Sequence, residues 1–167
     1  MQYLKPIFLI LALSFFPRDP LLSLIVLGFL AWWHTSSVQT APEQQQFIVG
    51  KAPNPLPSGF HKGSTNFYRA TWLGKKFMPA EHRGINVFSK DGGEKEAYPF
   101  KTYFGPGLRD SSVETMKIDY QLPEVPFYAR PILDEIVEVV PGKYLGKIHY
   151  RLIPGYPFTI GYFWLQK

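Results

Sequence analysis

The sequence contains no cysteine. Without a thiol there is no disulfide framework, no thiolate metal site and no cysteine nucleophile, and the redox compartment is left open. Charge of one sign is not concentrated either. Eighteen Lys and Arg against 13 Asp and Glu give a formal net charge of +5, but the two signs are interspersed. With no basic stripe, nucleic acid is not an expected partner. Ser-His-Asp, P-loop, Rossmann-glycine and zinc patterns are all missing, and no cofactor is indicated. His61, His82 and His149 lack ligand spacing. His149 reads as an exposed strand residue, with single-histidine haem ligation as the sharper alternative.

Aromatic residues are abundant, at 17% of the chain, together with 14 Gly and 16 Pro. Short aromatic strands broken by Pro/Gly turns point to a mainly β fold, a barrel or sandwich. The length suits one domain with an appendage.

That appendage is the N-terminus, residues 1–34. Two apolar runs, Pro6–Phe16 and Leu21–Trp33, flank Pro17-Arg18-Asp19-Pro20. Each run is shorter than the roughly 20 residues a spanning helix needs. Joined, they would set an Arg and an Asp near mid-bilayer, at a cost of several kcal/mol. A membrane hairpin with its turn at the interface, one kinked span, and a cleaved signal peptide are the three readings. Membrane retention is the expected outcome, because a helix apolar all round has no face for water. The expected membrane contacts are Phe8, Phe15, Phe16, Phe29, Trp32 and Trp33, the last two forming an interfacial belt. Lys5 alone does not set which side the rest of the chain faces.

Residues 35–59 read as a Pro-rich linker in which Pro53, Pro55 and Pro57 favour an extended strap, and Phe47-Ile48-Val49 could dock as a short strand. From residue 60 to 167 the hydrophobic period is two. Seven or eight strands follow from runs such as NFYRATWL, GINVF, YPFKTYF, VETMKIDY and KYLGKIHYRL, with Lys90-Asp91-Gly92-Gly93 as a hairpin turn. The expected architecture is a small antiparallel barrel, with a helical turn near Ala80–Arg83.

Alternation selects Tyr103, Met116, Ile118, Tyr144, Ile148, Tyr150, Tyr162 and Trp164 as interior residues, with Gly146 leaving a gap among them. They either fill the barrel or line a cavity for a small hydrophobic molecule. Among the acids, Asp134 and Glu135 must point to opposite faces of one strand. Asp119, Arg130 and Asp134 are the expected polar network, with Arg130 as the partner of the inward acid. An acid/base role for Asp119 or Asp134 would need a perturbed, inward carboxylate.

The blocks Thr71-Trp72-Leu73-Gly74-Lys75-Lys76-Phe77, Met116-Lys117-Ile118-Asp119-Tyr120, Pro131-Ile132-Leu133-Asp134 and Leu145-Gly146-Lys147, with the final aromatic strand, resemble small bacterial GXWXG-type domains and their C-terminal partner domains. More broadly, residues 60–167 are similar to calycin-like (lipocalin-like) barrels. Ala70 stands where the first glycine of G-x-W-x-G would be. The resemblance implies a calycin-like barrel that binds a hydrophobic ligand and brings no catalytic residues. The functional expectation is a membrane-tethered barrel binding a lipid- or pigment-like molecule, partnered by the lipid bilayer. The rival is an accessory subunit or assembly factor docked on other membrane-protein subunits, suggested by Arg18 and Asp19 within the apolar run.

Overall fold

A computed structural model describes residues 19–65 and 71–167. They fall into two units that divide between Thr40 and Ala41. In the first, helix α1 spans Pro20–Gln39. Proline suits the first helical position because its missing N–H has no intrahelical acceptor there. Asp19 caps the helix, its Oδ1 accepting from the Leu22 N–H at 2.9 Å. Asp19 itself is not helical (φ −146°, ψ 89°), as an N-cap residue usually is not. Twenty residues at 1.5 Å rise make roughly 30 Å, the thickness of a bilayer's hydrocarbon core. Leu21, Leu24, Ile25, Phe29 and Trp32 are exposed. Phe29 packs on Trp32 and Trp33, with ring centroids 5.8 and 6.2 Å apart. By length and composition α1 is a candidate membrane span, though a signal sequence near an N-terminus has the same character. Phe8, Phe15 and Phe16 lie outside the described residues.

The second unit opens with helix α2, Pro42–Val49. Phe47-Ile48-Val49 is thus helical, not the expected docking strand. Phe47 is completely buried, and Lys51 pairs through its backbone with Glu138 in both directions (3.1 and 2.7 Å). The stretch read as a linker is therefore split. Its start belongs to α1, and from Ala41 onward it packs with the strands.

Eight strands follow: β1 Gly59–Thr65, β2 Trp72–Met78, β3 Arg83–Lys90, β4 Gly93–Pro106, β5 Glu114–Asp119, β6 Ile132–Val140, β7 Lys143–Ile153 and β8 Tyr156–Gln166. A 3-10 turn, Pro79–Glu81, links β2 to β3. Each strand pairs antiparallel with the next, and β1 pairs with β8 to close the barrel. Closure leaves no free sheet edge. The half of the interior built around Phe77, Phe100, Met116, Ile118, Ile136, Tyr144 and Leu165 is solid aromatic and aliphatic packing.

Two irregularities bend the ladder near the other half. Between Trp72 and Gly74 the β2–β3 register slips, which lets Trp72 and Lys75 both reach the interior although three residues apart. Gly74 has φ +149°, and a Cβ there would sit 2.0 Å from the His61 carbonyl oxygen, so only glycine fits. In β4, Tyr98 is left out of the ladder where Asn86 opposes Ala97 and Ile85 opposes Pro99. It adopts φ +53°, a left-handed conformation that costs a bulky residue of order 1–3 kcal/mol.

Candidate functional site: a cavity ending on a buried lysine

Above the packed half lies a cavity of about 320 Å³. Its walls are Trp72, Phe88, Tyr98, Ile132, Ile148 and Phe163, and the exposed Tyr128 on the β5–β6 connection brings it to the surface. At that end the Tyr98 and Tyr128 hydroxyls lie 3.3 Å apart, and the Tyr150 hydroxyl donates to the Tyr128 carbonyl at 3.0 Å. The cavity wall is almost wholly apolar except at its inner end, where Lys75, Asn86, Tyr120 and Asp134 converge.

Strand register assembles this cluster. Lys75 and Asn86 are direct cross-strand neighbours on β2 and β3. Asp134 sits opposite Ile118 on β5, the residue that shares Tyr120's inward parity. The Lys75 ammonium donates to Asp134 Oδ2 at 2.9 Å, to Asn86 Oδ1 at 3.0 Å and to the Tyr120 hydroxyl. Tyr120 in turn donates to Asp134 Oδ2 at 3.2 Å. The amide of Asn86 is also tied at both ends. Its Oδ1 accepts from the Trp72 indole at 3.1 Å and its Nδ2 donates to the Tyr98 carbonyl at 3.0 Å. The rings of Trp72, Phe100, Tyr120 and Phe163 surround the ammonium at 5.1–5.6 Å, within cation–π range.

Lys75 is only 2% exposed and Asp134 3%. Burial pushes the ammonium below the usual lysine range, opposed by the charge of Asp134. Burial, then the same carboxylate, pushes the Tyr120 hydroxyl well up, so it remains a proton donor. Asp134 Oδ1 meets no hydrogen-bond donor among the described residues.

A second polar cluster lies on the outer face of β5–β8, beneath α2 and the β4–β5 connection. Glu135 is buried there between Lys117 and His149 (Nε2 to Oε2 3.1 Å) and accepts from the Leu108 N–H at 2.6 Å. Burial opposes its charge, but the hydrogen bonds and charges of His149 and Lys117 outweigh that and hold the carboxyl below the usual range. Lys147 bonds Gln44 of α2 at 2.7 Å and pairs with Asp110, while the Tyr162 hydroxyl donates to the same Gln44. Burial pushes Lys147 down and Tyr162 up. This cluster fastens the helix and the connection to the barrel wall. Among the described residues, no group of three His, Asp or Glu could hold a metal ion.

Of the residues expected inside, Met116, Ile118 and Tyr144 belong to the packed half and Ile148 lines the cavity. Three others differ. Tyr103 points outward opposite Lys117, 42% exposed, and its hydroxyl donates to Asp119. On β8 the parity is the reverse of that expected. Phe163 and Leu165 face inward, Tyr162 lies under α2, and Trp164 lies on the outside with the Lys143 ammonium 4.6 Å from its ring. Both faces of β8 are apolar, the outer one meeting α2 at Tyr162, so alternation carries no signal in that strand. Tyr150 sits at the mouth through its bond to Tyr128. The gap at Gly146 is filled by the Phe163 ring, which a Cβ there would meet at 2.1 Å.

The expected Asp119–Arg130–Asp134 network does not form. Asp119 is outward and paired with Arg151 at 2.7 Å, while Arg130 donates to the Val125 and Pro123 carbonyls. The inward acid takes Lys75 instead. His149 is fully buried rather than exposed, since the β4–β5 connection and its neighbours cover that face. Lys75 and Asn86 were the residues missed. Each lies two positions from an inward aromatic, Phe77 and Phe88, and that parity was the available signal.

No family model matches this chain. No curated protein matches it either. Among solved structures it is similar to a protein from Thermomonospora curvata known from its crystal structure, with 20% identity over 75% of this chain and 84% of that chain, and a TM-score of 0.53. At that identity the likeness speaks to the fold alone. Together with the closed eight-stranded barrel it fits a calycin-like barrel in general.

Proposed function

We propose that this chain is a membrane-tethered, lipocalin-like barrel that binds a small, mostly apolar molecule in the cavity ending on Lys75. The observation that carries this reading is the cavity itself. A closed barrel of this size can be filled by its own side chains; here one part is filled and beside it a cavity of about 320 Å³ opens to the surface. That volume is at the lower end of the range for small-molecule pockets, and apolar walls with a few converging polar groups are their usual lining. The apolar α1 supports the tether, since a bilayer is where its exposed Leu, Ile and Phe side chains escape water.

The accessory-subunit reading drew on Arg18 and Asp19. Asp19 has a local role as the cap of α1, and Arg18 lies outside the described residues, so ligand binding is the better-supported function. For acid/base catalysis, Asp119 is unsuitable because it is outward and arginine-paired. Only Asp134 of the two keeps the inward geometry such chemistry requires.

The test is native mass spectrometry of the full chain extracted from membranes in mild detergent, beside an Ile148→Trp variant that fills the cavity. One small molecule per wild-type chain, absent from the variant, is the expected result. An empty wild-type chain that also takes up no member of a hydrophobic panel would refute the reading. Resistance of the chain to alkaline carbonate extraction checks the tether separately.

A further inference from the structure

The polar end of the cavity has an uneven supply of donors and acceptors, and this restricts what it can recognise. An ammonium has three protons, and those of Lys75 are taken by Asp134 Oδ2, Asn86 Oδ1 and Tyr120. The Tyr120 proton goes to Asp134 Oδ2. The two Asn86 amide protons go to the Tyr98 carbonyl and the Tyr120 hydroxyl, each at 3.0 Å. The Trp72 indole N–H goes to Asn86 Oδ1. Every donor of the cluster is occupied. What is left over is an acceptor, Asp134 Oδ1, itself fully buried, on a carboxylate whose side chain lines the inner end of the cavity.

We infer that the cavity selects a neutral apolar molecule bearing a hydroxyl group, an alcohol or phenol, whose proton is accepted by Asp134 Oδ1. This rests on the cavity reading above and adds the chemical class of the ligand. The site's geometry disfavours three other classes. A ketone or ester would set acceptor against acceptor. A fatty-acid carboxylate at the inner end would bring a second negative charge beside Asp134, where every donor of the cluster is already occupied. A plain hydrocarbon would leave the buried oxygen unpaired, which is the costly case for a desolvated polar group. A hydrogen bond to a charged group corresponds to roughly a 10- to 100-fold preference. At the ~30 Å³ that a water molecule occupies in the liquid, the cavity suits a ligand of on the order of ten non-hydrogen atoms.

The test uses one ring system with four substituents: 2-naphthol, 2-acetonaphthone, 2-naphthoate and naphthalene. Each is titrated into the detergent-solubilised full chain and corrected for its partition into protein-free micelles. The expected result is 2-naphthol binding at least about tenfold tighter than the other three. Asp134→Asn supplies the sharper arm. Lys75 and Tyr120 hold the amide oxygen in place of Oδ2, which turns the amide's NH₂ toward the ligand, so the preference should pass from 2-naphthol to 2-acetonaphthone. A Lys75→Met/Asp134→Leu double variant, which removes the charges as a pair, should bind naphthalene and lose the hydroxyl preference. Equal binding of all four probes, or tightest binding of 2-naphthoate, overturns the hydroxyl assignment and leaves the cavity reading standing. Failure of every probe to bind the folded wild-type chain overturns both.

Discussion

The Lys75–Asp134 pair gives the most exacting prediction. Replacing Asp134 with Leu leaves an ammonium buried among four rings with two neutral acceptors, Asn86 and Tyr120. Replacing Lys75 with Met leaves a buried carboxylate held by Tyr120. Removing one partner of a buried pair costs about 3–5 kcal/mol, which in a domain of this size lowers Tm by on the order of 10–20 °C. The double variant differs in kind. Trp72, Asn86 and Tyr120 still satisfy one another through the indole bond to Asn86 Oδ1 and the amide bond to the Tyr120 hydroxyl. Apolar replacement of a whole buried pair is often neutral or stabilising, so the double variant should melt near wild type. The coupling energy of the cycle should then be at least about 3 kcal/mol. Circular-dichroism melts of the four chains in one detergent measure it. If the double variant lost as much as the two single variants together, the pair would be uncoupled and the reasoning refuted.

Three further outcomes are expected. Gly146→Ala forces the Phe163 ring from its seat, costing about 1–3 kcal/mol by overpacking and weakening cavity binding; an unchanged melting temperature would count against the close packing. Glu135 has a folded-state pKa below its unfolded value of 4.5, so it contributes stability above that value that is lost as pH falls through the folded pKa. Glu135→Gln should flatten the decline of Tm with acidification below about pH 4.5, and an unaltered slope would disprove the assignment. Trp72→Phe removes the indole bond to Asn86 and should cost about 0.5–1.5 kcal/mol, read in the same melts.

How far the fold could be read from sequence depended on what covers each strand. On β5 one face is interior and the other polar, and alternation alone places Met116 and Ile118 inward. On β8 the outward Tyr162 meets α2 and is as buried as a core residue, so alternation misleads. Lys75 was hidden by composition. A lysine beside another lysine looks solvated, and only its parity with Phe77 and the glycine-enabled bulge at Gly74 turn it inward. The short helix Pro42–Val49 was obscured by its three consecutive glutamines, of which Gln44 anchors it by bonding Lys147, Asp110 and Tyr162. Arg130 was the nearest cation to Asp134 in sequence. Barrel closure brought Lys75, 59 positions away, nearer in space.

A ligand in the barrel's cavity would lie beside Trp72. A chain retaining Trp72 as its sole tryptophan (Trp32→Phe, Trp33→Phe, Trp164→Phe) can be titrated with 6-bromo-2-naphthol, whose bromine quenches indole emission at contact. Saturable quenching at one molecule per chain, abolished by filling the cavity with Ala129→Phe, is the predicted result. Quenching that never saturates, or that persists unchanged in the filled barrel, would contradict it.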